Sequence, residues 1–164
     1  MEFSPLPGHA HFYPQLNHAI RAEQQISRII PHLVQAVWSG QLSRTLQQAL
    51  SMSEQHQLRL AEFCIMPGET ENAPADLESR IMHSLHSQQR GSIKDLSLTL
   101  LFAKAVQHKI SCYEGVLDLD DQGSLTDLKN VVGEALSDDL ATDLFLQEQA
   151  ERFVAREYAH GATA

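Results

Sequence analysis

Apolar positions recur every three to four residues along most of the chain, the spacing of a helix with one face turned inward. Leu16, Ile20, Glu23, Ile30, Val34 and Val37 share one face of a predicted helix from about Pro14 to Trp38. Pro31 lies inside it and is expected to kink it or cost it a hydrogen bond. Ser39-Gly40 breaks the pattern. A second helix follows, with Leu42, Leu46, Ala49, Met52, His56, Leu60 and Phe63 inward, until Pro67-Gly68 stops it. A loop over 68–75 leads into a short helix, Asp76 to Gln88, with Leu77, Ile81 and Leu85 on one side. After Arg90-Gly91, Ser92 is expected to cap a third long helix. Its inward row is Leu98, Phe102, Ala105, Val106, Lys109, Tyr113 and Val116. A fourth begins at Ser124 or Thr126, with Leu128, Val132, Ala135, Asp139, Asp143, Leu146, Ala150 and Phe153 in one row. No segment alternates as a strand does. Four long helices of about 25 residues with short turns predict an all-α four-helix bundle with a short extra helix between helices two and three. The expected domain is 14–157, between a loose leader (1–13) and a frayed tail (158–164).

Length and composition agree with one globular domain. The 164 residues are 43% hydrophobic and carry 12 basic against 21 acidic side chains, a formal charge of −9. That balance argues against nucleic acid and against an anionic membrane surface as partners. No window approaches the roughly 20 apolar residues of a membrane span, and the first 14 residues lack the basic start of a secretory signal. Cys64 and Cys112, the two cysteines, fall in apolar helical patterns and read as small core residues of a cytoplasmic protein.

The chemistry lies in ionisable residues set in apolar rows: Glu23 in the first helix, His56 in the second, Lys109 in the third, Asp139 and Asp143 in the fourth. A lone buried charge costs several kcal/mol, so these groups need partners, water or an ion. Residues midway along bundled helices converge on one level, where they build either a carboxylate metal site or a polar cluster.

Several short motifs resemble those of the YciE/YciF-type ferritin-like proteins, a bacterial stress-associated family of uncharacterised biochemical function. They are Ala22-Glu23-Gln24-Gln25-Ile26, Ser53-x-x-His56-x-x-Arg59-Leu60, Lys94-Asp95, Ile110-x-x-Tyr113 and Asp138-Asp139-x-Ala141-Thr142-Asp143. The resemblance spans about residues 14–155. It implies a ferritin-like fold and a candidate di-iron site, for which hard iron ions need about four carboxylates and two histidines. This chain departs from that pattern. Met52 stands where the family has Glu before the helix-two Ser/Thr, and Val106 and Lys109 stand at two further Glu positions.

Lys109 is therefore expected to sit where a metal would, neutralising Glu23 and Asp139 or Asp143. The expected product is a metal-free bundle with a degenerate site, non-enzymatic, in a structural or interaction role and without a cofactor. The alternative is an iron or other divalent-metal oxidoreductase, or an iron-handling protein, using Glu23, His56, Asp139 and Asp143. A helical adaptor binding another protein on its outer face is a third reading. The resemblance, with Trp38, Phe63 and Phe145 near helix surfaces, points to a homodimer. Tyr113 reads as a packed core residue and Asp138 as exposed. His83-x-x-His86 has metal-compatible spacing on an amphipathic helix, where a surface reading is favoured. His9-x-His11 falls in the leader.

Overall fold

The computed structural model describes residues 12–63, 75–87, 90–119 and 125–162. Five helices follow in order: α1 (Phe12–Ala36), α2 (Gly40–Ala61), α3 (Ala75–Ser87), α4 (Ser92–Leu117) and α5 (Thr126–Gly161). No strand occurs among the described residues. α1 packs on α2 and α4, and α5 packs on α4 and α2, so the four long helices close a bundle with α1 diagonal to α5. The short α3 lies against α4 and α1. No helix among the described residues is long and apolar enough to cross a membrane.

The elements match the periodicity, and the differences have local causes. α1 begins two residues before the expected start and passes through Pro31 without ending. Pro31 faces solvent, so the interior is undisturbed by its ring. Ser92 is the first residue of α4 and not its cap: the cap position is Gly91, and the Ser92 hydroxyl donates instead to Glu157. Gly91 adopts φ +157°, ψ −178°, backbone open almost solely to glycine. The fourth long helix runs unbroken to Gly161, a 36-residue rod that takes in Tyr158. Helix continuation past Tyr158 fits the absence of any Pro or Gly between Tyr158 and Gly161. Residues 1–11, including His9 and His11, Cys64, and the predicted stop at Pro67-Gly68 lie outside the described residues.

Two turns are held by the pair that opens α4. Asp95, fully buried, accepts the backbone N–H groups of Trp38 (2.8 Å) and Ser39 (2.7 Å). Ser39 in turn caps α2, its hydroxyl accepting from Leu42 N–H at 3.3 Å. Lys94 is also buried, and its ammonium donates to the Leu85 carbonyl near the end of α3 at 2.7 Å. A cation there suits the negative end of the helix dipole. These contacts satisfy backbone groups that helix ends leave orphaned.

The core is split into two apolar layers. One contains Ile26, Ile29, Ile30 and Leu33 of α1, Leu42 and Leu46 of α2, Leu98 and Phe102 of α4, and Leu146 and Phe153 of α5. The other contains Leu16, Ala19 and Ala22, then Leu60, then Tyr113 and Val116, then Leu128 and Val132. On every long helix the boundary between layers falls at an ionisable residue: Glu23, His56, Lys109, Asp139.

Gly91 and Gly133 separate backbone from packing effects, since a Cβ at either meets nothing within 4 Å. Gly91→Ala is expected to cost about 1–3 kcal/mol from backbone strain alone. Gly133→Ala, in the interior of α5, is expected to add about 0.5–1 kcal/mol. Urea denaturation of the two variants checks both signs.

Candidate functional site

Four of the five expected residues meet at mid-height. Glu23 is the hub, and its side chain is completely buried. Oε1 accepts the His56 Nδ1–H at 2.9 Å and the Tyr113 hydroxyl. Oε2 accepts the Ser53 hydroxyl at 2.5 Å and the Lys109 ammonium at 2.9 Å. Four donors thus fill the lone-pair positions of one carboxylate. Lys109 donates a second time, to Asp139 Oδ1 at 2.8 Å. His56 Nε2 lies 3.0 Å from Asp138 Oδ2. A carboxylate on each ring nitrogen favours the doubly protonated imidazolium over the neutral ring. The His56 and Tyr113 rings meet edge to face, centroids 6.4 Å apart at 89°.

Asp143 does not join. It is half-buried and accepts from Gln107 (3.2 Å) and Gln147 (2.8 Å) on the outer side of the α4–α5 seam. Past Asp139 the inward row takes the three-residue step to Thr142, then Leu146 and Gln149, where the sequence reading placed Asp143 and Ala150. A helix of 3.6 residues per turn admits either step, and the Lys109–Asp139 pair fixes the phase. α2 shows the same one-residue shift: Ser53 is buried and Met52 half-buried. Asp138, expected in solvent, has its side chain 48% exposed, yet it reaches inward to His56.

Ser53, Tyr113 and Asp138 are the participants whose roles the sequence reading missed, together with two residues behind them. Ser27 Oγ donates to the Glu23 carbonyl at 2.8 Å and lies 3.1 Å from Ser53 Oγ, and Gln57 donates to Ser27. The helical steps Glu23 to Ser27 and Ser53 to Gln57 were the available clue. His83 and His86 are exposed, as expected, and His86 Nδ1 bonds the Met82 carbonyl at 2.7 Å. Trp38 is exposed, Phe63 and Phe145 half-buried. Cys112 is a free, buried thiol whose pKa burial raises.

The electrostatics follow from burial against pairing. Burial pushes the Glu23 carboxyl up, but His56, Lys109, Ser53 and Tyr113 together hold it below its ordinary value. Burial pulls His56 down, and the Glu23 and Asp138 carboxylates more than reverse this, leaving it raised. Asp139 is raised to about 6: burial dominates, Lys109 opposes it, and the Glu23 charge adds to it. Its Oδ2 is buried with no hydrogen-bond partner among the described residues. Tyr113 is strongly raised by burial and the Glu23 charge, so it stays a neutral donor.

One donor atom each from Glu23, His56 and Asp139 lie within 4.8 Å of one another, a spacing that would suit a metal. In this structure those donors are already engaged: the Glu23 lone pairs are taken, both His56 nitrogens face carboxylates, and the Lys109 ammonium stands between Glu23 and Asp139. Coordination requires a free lone pair at each ligand, and an ammonium between two carboxylates opposes a second cation there.

A bundle of four long helices with an inward carboxylate–histidine level at mid-height is a ferritin-like architecture. The chain belongs to the family described as a domain of unknown function, DUF892, whose model matches residues 8–159. Among solved structures it is similar to the E. coli stress protein YciF, at 19% identity and a TM-score of 0.76, covering 88% of this chain and 94% of that one. No curated protein sequence matches the chain.

Removing one charge from this cluster strands the others. Lys109→Met is expected to cost about 3–5 kcal/mol, read from the urea midpoint, because it leaves Glu23 and Asp139 side by side without a cation. The pH dependence follows from the three shifts. Raised His56 contributes stability below its ordinary 6.5 that is lost as pH rises through the folded value. Raised Asp139 favours the native state as pH falls from about 6 toward 3.8. Lowered Glu23 contributes above 4.5 and is lost in stronger acid. Thermal melts from pH 4 to 9 are expected to peak between about 4.5 and 6. His56→Gln is expected to flatten the fall above 6.5.

Proposed function

We propose that this protein is a metal-free ferritin-like scaffold with a structural or interaction role, in which a salt-bridged plug replaces redox chemistry. The observation that carries this reading is Lys109, its ammonium 2.9 Å from Glu23 Oε2 and 2.8 Å from Asp139 Oδ1. An ammonium in that seat performs the charge neutralisation that a divalent ion performs in a carboxylate-lined bundle, without open coordination positions or a change of oxidation state. The similarity to a protein described as a stress protein supports a stress-associated setting. The free, buried Cys112 thiol supports a reducing, cytoplasmic one.

The competing reading is an iron-dependent oxidoreductase or iron-handling protein, favoured by the spacing of Glu23, His56 and Asp139. Titration of the purified chain with Fe(II) or Zn(II), with metal content measured after desalting, separates the two. The wild type is expected to retain no stoichiometric ion. Lys109→Glu is expected to gain affinity, since it turns the central cation into a third carboxylate. One ion per wild-type chain, lost in Glu23→Gln, overturns the proposal.

A homodimer belongs to the same reading. Exposed Leu140, Leu144, Val154 and Tyr158 fall within one broad face of α5, and Leu96 of α4 lies against Val154 and Tyr158. Large apolar side chains so placed favour self-association. Sedimentation is expected to give a dimer for the wild type and a monomer for Leu144→Lys.

A further inference from the structure

At the end of the bundle where α1 turns into α2, the last turns of α5 stand against the start of α4 and enclose a cavity of about 430 Å³. That size suits a small molecule. Phe153, Arg156 and His160 line it from one face of α5, at the helical spacing i, i+3, i+7. Phe153 is almost fully buried and forms an apolar floor. Trp38, the chain's single tryptophan, also lines it and is left 69% exposed. An exposed indole at a cavity mouth offers a flat apolar surface.

The charges in the wall are unequal. Asp95 is fully buried and spends both oxygens on the Trp38 and Ser39 N–H groups. Both of its oxygens are thereby turned into the wall and away from a ligand. Arg156 is exposed and takes part in none of the ion pairs among the described residues. No acidic side chain lies in the first turn of α2, which opens at the cavity. A planar guanidinium beside an aromatic wall recognises an acid carried on a flat ring.

We infer that this cavity binds a small planar aromatic carboxylate, its ring against Trp38 over Phe153 and its acid group on the Arg156 guanidinium. The site lies apart from the Lys109 cluster and stands whether or not that cluster holds a metal.

The single tryptophan provides the test. With 5-fluorotryptophan incorporated, Trp38 gives one fluorine resonance in the full-length chain. Two probes are titrated, 2-naphthoate and its neutral amide, 2-naphthamide. Naphthoate is expected to move the resonance saturably. Naphthamide, and naphthoate with Arg156→Gln, are each expected to bind on the order of tenfold more weakly, the loss of one charge-assisted hydrogen bond. Arg156 is exposed, so its substitution leaves the fold intact. A resonance that does not move overturns the inference, as does equal affinity for the two probes or an unchanged affinity in Arg156→Gln.

Discussion

One ammonium group answers two carboxylates at the centre of this bundle. Lys109 stands between Glu23 and Asp139, and the orientation of all four long helices is tied to that contact, because Glu23 in turn holds Ser53 and His56 of α2 and Tyr113 of α4. Buried ion pairs add little net stability, since desolvation offsets the attraction. What they enforce is registry. Sliding any of these helices by one turn leaves a bare charge among leucines, an error far larger than the loss of an apolar contact. The cluster therefore selects one packing among the several that an apolar seam alone would allow.

The same contact accounts for the behaviour expected of the site. A carboxylate with its lone pairs filled, an imidazole protonated on both sides and an ammonium between them make a closed set of donors and acceptors. The one unfilled position, Oδ2 of Asp139, shows itself as a carboxyl held near 6.

The fold was largely legible in the sequence because helical periodicity is repeated on four long segments, and the ionisable residues at Glu23, His56, Lys109 and Asp139 stood out against apolar rows. Every position of the predicted α4 row is buried, but the helix also buries Lys94, Asp95, Thr99, Ala103, Ile110 and Cys112, which the row left out. The errors cluster where the pattern allows two phases. On α5, Asp143 and Thr142 are both polar and both one turn from Asp139, so hydrophobicity does not choose between them. On α2, Met52 is more apolar than Ser53, yet the serine is buried because Glu23 needs a donor there. Asp138 was read by its neighbours' phase, whereas its carboxylate reaches around the helix to His56. Hydrogen-bond demand from another helix decided each case, and a single helix does not display that demand.

The division of the core into two apolar layers has a consequence for how the chain tolerates change. Among the described residues, Leu136 alone packs against both layers, so a defect at one end is felt weakly at the other. Alterations in the two ends add their costs independently, and each end is free to drift on its own. The belt between them lacks this freedom: a new residue at any of its positions is acceptable only when a neighbour changes with it.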